Sequence, residues 1–182
     1  MIRTRGARAA LVVVLAAAGV QAIVVAQGAP RQEPILPLPD EVTDVEPAKV
    51  ALGAKLFADK RFSADGSVSC QSCHLPDAGG ADPRRHSVSA FGKIRPINSP
   101  SIFNVRYNTS GLNWTGRTKD LESQIKGSVG NADTMAHDWA KVVQVLAADP
   151  AMAAEFKAAY GGEQPVTQEN AAHAIVSFER SL

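Results

Sequence analysis

Cys70-Gln71-Ser72-Cys73-His74 places two thiols three residues apart, with a histidine directly after the second. Thiols at this spacing lie on one side of a short helical turn, where they can add to the two vinyl groups of a haem. His74 is then carried beneath the iron as proximal ligand. The chain has 2 cysteines, so one covalent haem c is the expected maximum. Other uses of the pair fit less well. A structural zinc needs two more ligands at similar spacing, and no second Cys pair or paired histidines supply them. A redox dithiol would follow a strand of a βαβ unit, and no strand pattern precedes Cys70. A disulfide across two intervening residues is possible but gives little structural benefit.

The elements that must position this turn read as helices. A helix is expected to begin near Pro47, a proline that the first helical turn tolerates, with Val50, Ala54 and Phe57 on one face and Leu52 and Leu56 beside them. Residues 60–69 read as a polar loop leading to the motif. Between Leu75 and Pro100, glycine, proline and charge dominate without a period, a length of irregular chain that needs a functional reason. Wrapping a haem is such a reason. Three helices are expected next: a polar one over 119–129, one over 135–148 with Trp139, Val142, Val143 and Leu146 on one face, and a short one over 150–160 ended by Gly161-Gly162. A last helix from about Thr167 aligns Ala171, Ile175, Phe178 and Leu182. The fold class is all-α, a cytochrome c-like helical domain around one covalent haem, with no credible sheet.

The amino terminus fits an exported protein. Arg3, Arg5 and Arg8 precede an almost wholly apolar run from Ala9 to Val25, and Val24-Val25-Ala26 offers small residues for cleavage after Ala26. Residues 1–26 therefore read as a signal peptide and the location as periplasmic; a retained anchor is the alternative, near the lower limit of ~17 residues for a span. Removing them takes three arginines and no acid from 19 Lys+Arg and 18 Asp+Glu, turning the formal net charge from +1 to about −2. No basic patch with interleaved aromatics suggests nucleic acid. Residues 27–46, rich in proline and acids, read as an extended lead-in, and 47–182 as the haem domain.

The flanks of the motif carry a resemblance. Leu52 to Asp59, Arg61, Ser63 to Gly66 and Ser69-Cys70 are similar to the bacterial di-haem cytochrome c peroxidase/MauG family. So are Gly79 to Asp82, Asn98 to Ser101 with Asn104, Trp114-x-Gly116-Arg117, Leu121, Gln124 and the closing Ala174-Ile175-x-x-Phe178-Glu179-Arg180-x-Leu182. The resemblance covers that family's amino-terminal domain, which holds the peroxidatic haem; a second domain carries the haem that accepts electrons. The sequence has no second C-x-x-C-H, so it reads either as a truncated member or as a mono-haem variant needing a partner domain or subunit.

The resemblance implies reduction of hydrogen peroxide with electrons from a small cytochrome c or cupredoxin. It places Gln124 on the distal side. The family's distal glutamate falls on Thr134, with Asp133 one residue earlier as a possible substitute. The position of a distal histidine ligand falls on Ala90, with His86 in the same loop as a candidate. The family's arginine before the Asn-x-Pro stretch falls on Ile97, with Arg95 nearby as a candidate propionate partner. Trp114 matches a tryptophan between the two haems, and packing on the haem edge as a buried aromatic is the alternative reading. Asn98 matches a calcium position whose other ligands belong to the second domain, so a complete calcium site is not expected.

A different class of function remains open. Met135 lies 61 residues after His74. On the iron it would give the His/Met ligation of a mono-haem electron carrier, and a buried core methionine is its alternative. Met152 is a poorer ligand candidate. His137 and His173 are expected to face solvent. A MauG-like oxidation of a protein substrate is a third possibility.

Overall fold

The structure, a computed structural model, describes Leu38 and residues 42–182. The expected signal peptide, and most of the lead-in, lie outside the described residues. Among these, no helix is long and apolar enough to cross a membrane.

Among the described residues five α-helices carry the fold, and each start has a chemical cause. Helix α1 (Pro47–Ala58) has proline at its first position. Helices α2 (Leu121–Gly130), α3 (Trp139–Ala147), α4 (Pro150–Tyr160) and α5 (Gln168–Arg180) are each preceded by an Asp or Thr whose side chain accepts from a first-turn N–H. Such caps satisfy backbone donors that the helix itself leaves free. Asp149 links elements as well: Arg61, held by Asp59 at the end of α1 (2.6 Å), reaches its carboxylate at 3.0 Å.

The core forms where α1 and α5 cross, joined by α2, α3 and α4. Leu52, Leu56 and Phe57 of α1 meet Ala171, Ala174 and Ile175 of α5, and Val142, Leu146 and Phe156 complete the cluster. The buried stripe of α1 runs through Leu52, Gly53, Leu56 and Phe57, one step round from the Val50–Ala54–Phe57 line expected. The cause is Gly53: its missing side chain lets the backbones of α1 and α5 touch.

Two other boundaries differ from expectation. Residues 135–138 are not helical; Ala136 N–H bonds Asn131 O (3.0 Å) and His137 N–H bonds Val129 O (2.9 Å), folding the segment back on α2. The helix begins only after Asp138, whose side chain accepts from Ala140 N–H. Residues 60–69 are also less polar in use than in composition, because Phe62 is fully buried against Trp139.

Residues 59–120 contain no α-helix. Five 3-10 turns between Lys60 and Tyr107 and three isolated antiparallel bridges shape this segment. Buried polar groups hold it. Asp82, 4% exposed, receives Arg84 Nε at 2.8 Å and Nη2 at 2.7 Å, and the same guanidinium donates to Ser72 O inside the Cys70–His74 turn. That contact holds the Asp82 carboxyl down at about 2, so the clamp stays charged. Ser87 and Ser99 hydroxyls meet at 2.8 Å, tying the two limbs of the loop.

A β-carbon built on Gly53 would stand 1.9 Å from Ala174 O and 2.9 Å from Phe178 Cβ. Gly53→Ala is expected to cost about 2–4 kcal/mol, above the usual surface substitution and in the overpacking range. The urea midpoint of the haem-loaded protein measures it; an unchanged midpoint would mean that the helices part freely.

Candidate haem site

Cys70 opens a 3-10 turn because Ser69 and Ser72 cap each other: Ser69 N–H donates to Ser72 Oγ at 2.9 Å, and the two hydroxyls lie 3.3 Å apart. Cys73 N–H and His74 N–H both bond Cys70 O, at 3.1 and 3.0 Å. Both cysteines are free thiols. Burial, with Glu179 nearby, pushes the Cys70 thiol up to about 12, and burial also raises Cys73. Each thus stays protonated near neutral pH.

His74 is oriented from behind. Its Nδ1 lies 3.0 Å from Pro100 O and 3.3 Å from Gly80 O, so the ring donates there and leaves Nε2 as the free lone pair. Burial lowers its pKa, against the two carbonyls, which favours the neutral imidazole that metals bind. Gly80 serves this geometry at φ +70, and a β-carbon there would meet Phe103 at 2.8 Å.

Cys70, Cys73 and His74 line one cavity of about 470 Å³. From α2 and the turn after it, Gln124, Ser128, Thr134 and Met135 line the same cavity. They form a hydrogen-bonded chain: Gln124 Nε2 donates to Ser128 Oγ at 3.0 Å, and Thr134 Oγ1 donates to Ser128 O. The position of Ser128, one helical turn after Gln124, is the signal that sequence reading passed over. Met135 is 8% exposed, in the cavity wall. Met152, by contrast, belongs to the apolar core.

Other expected site residues take different places. Asp133 is not among the residues lining the cavity; it is exposed and ion-paired with Lys93, which lowers its pKa. His86 does not line the cavity either; its Nδ1 is buried without a partner in the loop. Ala90 is buried, and its N–H bonds Thr134 O at 2.9 Å, pinning the loop to the turn with a side chain that cannot ligate.

Arg95 lines the cavity while its guanidinium bonds Asp133 O. Trp114 lines it too, but is 62% exposed rather than buried, its indole N–H donating to Asn98 O at 2.8 Å. Asn98 commits its amide to the carbonyls of Asp82 and Arg84, at 2.7 and 2.6 Å. His137 is half-buried and precedes α3 instead of lying on it, whereas His173 is exposed.

Glu179 had no assigned role in sequence, yet it lines the cavity at 4% exposure. Burial raises its pKa from 4.5 to about 8. The residues together fit a haem c: two protonated thiols, a neutral histidine with its second nitrogen anchored, and an apolar-walled cavity with Arg95 for a carboxylate.

The family model described as di-haem cytochrome c peroxidase matches residues 47–182. The cytochrome c peroxidase Ccp of Escherichia coli (strain K12) is 38% identical over 154 residues, covering 84% of this chain and 32% of that protein. The methylamine utilization protein MauG of Methylorubrum extorquens is 37% identical over 137 residues, covering 75% and 38%. Among solved structures, a MauG-like protein associated with microbial copper homeostasis superposes with a TM-score of 0.72 at 29% identity, covering 85% of this chain and 47% of that one. The chain thus spans less than half the length of these relatives.

The folded protein keeps a proton on Glu179 that the unfolded chain releases above about pH 4.5, so stability falls as pH rises from there to about 8. The contribution is about 1.4 kcal/mol per pH unit within that window. Urea midpoints of the haem-loaded protein at several pH values should show this slope, and Glu179→Gln should flatten it. An equal slope in the variant would assign the effect elsewhere.

Proposed function

This chain belongs to the di-haem cytochrome c peroxidase family, and from that premise we propose that it binds one haem c and reduces hydrogen peroxide to water. The balance is two electrons and two protons per peroxide, the electrons coming from a small redox protein such as a cytochrome c or a cupredoxin. One observation carries the reading: the cavity that collects Cys70, Cys73 and His74 is also lined by Gln124, Ser128 and Thr134.

Haem bound there supplies the redox chemistry. The chain's own residues do the rest. Cys70 and Cys73 hold the group covalently, and His74 Nε2 faces the cavity because Nδ1 is bonded away. The Gln124–Ser128–Thr134 chain offers an amide and a hydroxyl to orient a small polar molecule. Neither side chain titrates near neutral pH, so neither moves a proton as a carboxylate would. Protons reach the site through solvent, and turnover is slow in consequence. Arg95, at the cavity wall, holds negative charge such as a propionate. Export to the periplasm by residues 1–26 belongs to this reading.

A second reading, an electron-transfer cytochrome with Met135 on the iron, draws support from the burial of Met135 in the same cavity. The ferric optical and EPR spectra separate the two. High-spin signals that respond to peroxide and cyanide are expected for the enzyme. A low-spin spectrum with a methionine-to-iron charge-transfer band, lost in Met135→Leu, would replace it with the carrier.

Thr134→Glu places a carboxylate on the distal turn. It is expected to raise peroxide consumption about 10²-fold, the usual scale of a positioned acid–base group, assayed with a chemical one-electron donor. An intact spectrum with no gain would remove residue 134 from the reaction.

A further inference from the structure

The sequence contains four oxidisable aromatic side chains of the tryptophan and tyrosine type, 2 Trp and 2 Tyr. Losing an electron makes any of them strongly acidic, so the favourable site is one whose proton has a base to go to. Trp114 donates its N–H to Asn98 O and Trp139 to Lys126 O, and a peptide carbonyl is not a base. Tyr107 has no hydrogen-bond partner for its hydroxyl among the described residues, and its ring lies beneath the Arg106 guanidinium at 5.3 Å. Tyr160 differs. Its hydroxyl lies 2.9 Å from His173 Nδ1, with the rings edge-to-face at 5.9 Å.

We propose that Tyr160 and His173 form a redox-active pair that passes single electrons from the protein surface to the haem, which rests on the peroxide reading above. Tyr160 would give one electron to the haem once hydrogen peroxide has oxidised that group. The phenolic O–H bond breaks, its proton moves to His173 Nδ1, and a neutral tyrosyl radical beside an imidazolium results. A one-electron reductant at the surface then restores the tyrosine, and the proton returns from His173.

The surroundings favour this coupled route over its alternatives. Lys49 Nζ lies 5.1 Å over the Tyr160 ring, which disfavours a ring that loses its electron and keeps its proton. The Lys49 charge is itself paired with Glu46 at 2.5 Å, so the pair is not set in a cationic field. Loss of the proton without the electron is also disfavoured, since burial and Glu46 raise the Tyr160 pKa.

Tyr160 connects inward as well as outward. It stacks on buried Phe156 at 6.4 Å, while His173 faces solvent. His173 is six residues before Glu179 on α5, about 9 Å along the helix axis from a residue in the haem cavity wall. Phe178, on the same helix, contacts Phe57 at 5.2 Å, and Phe57 faces His74 at 6.4 Å. The intervening space is the packed core.

The test uses the haem-loaded protein, mixed with peroxide, frozen rapidly and examined by EPR with and without ring-deuterated tyrosine. A radical signal narrowed by the label, kept in Tyr107→Phe and lost in Tyr160→Phe, is the expected result. His173→Gln should lose it too, with Soret band and urea midpoint unchanged. A signal that survives Tyr160→Phe, or that ignores tyrosine labelling, overturns the pair. Photo-oxidation of the same protein with a ruthenium tris-bipyridine complex and persulfate supplies a second arm. A Soret band indifferent to peroxide, with a photogenerated Tyr160 radical, retires the peroxide reading and keeps the redox pair. Absence of the photogenerated Tyr160 radical overturns the pair, whatever the haem does.

Discussion

At Gly53 the backbones of α1 and α5 approach more closely than any side chain would allow, and the rest of the domain is hung from that crossing. The contact brings Phe57 and Phe178 together, and Phe57 in turn stands against His74. It also turns Glu179 into the cavity and sets Cys70 against the core. The same two helices therefore build the apolar interior and aim the haem motif. This coupling explains why a domain with little regular structure between residues 59 and 120 can still hold a cofactor in one orientation.

That irregular segment is organised by polar rather than apolar groups. Asp82 and Arg84 form a buried clamp that reaches Ser72, and Asn98 closes over the carbonyls of both. Each contact satisfies a backbone group that no helix or sheet accounts for. The loop thereby gains a fixed shape without secondary structure, and its carbonyls at Gly80 and Pro100 become the anchors of His74. A cofactor site needs such anchors because an imidazole free to rotate would present either nitrogen.

Arg95 and Arg117 bring positive charge to the cavity wall, while burial neutralises the other titratable groups there. His74 is held neutral and Glu179 protonated, while the ionised Asp133 is exposed and paired with Lys93. Thr134 lines the cavity, one residue after Asp133.

The covalent haem motif, the all-α class and the bounds of α4 were legible in local sequence, because spacing, capping and helix period are properties of neighbouring residues. The family resemblance also lay in local runs of residues. What lay beyond it was every question of direction. Whether Asp133 or Thr134 faces inward depends on the backbone folding back from Ala136 to Asn131. Whether residues 135–138 continue a helix depends on the same bonds. In sequence Glu179 stands only as part of the closing family motif, and the crossing at Gly53 turned it into a cavity wall. Tyr160 and His173 are thirteen residues apart on two helices, and their hydrogen bond exists only after α4 and α5 have packed. Composition and period determine which segments are helical and which atoms are available. Packing decides which of those atoms meet, since the close approach of two backbones sets the position of every side chain on them.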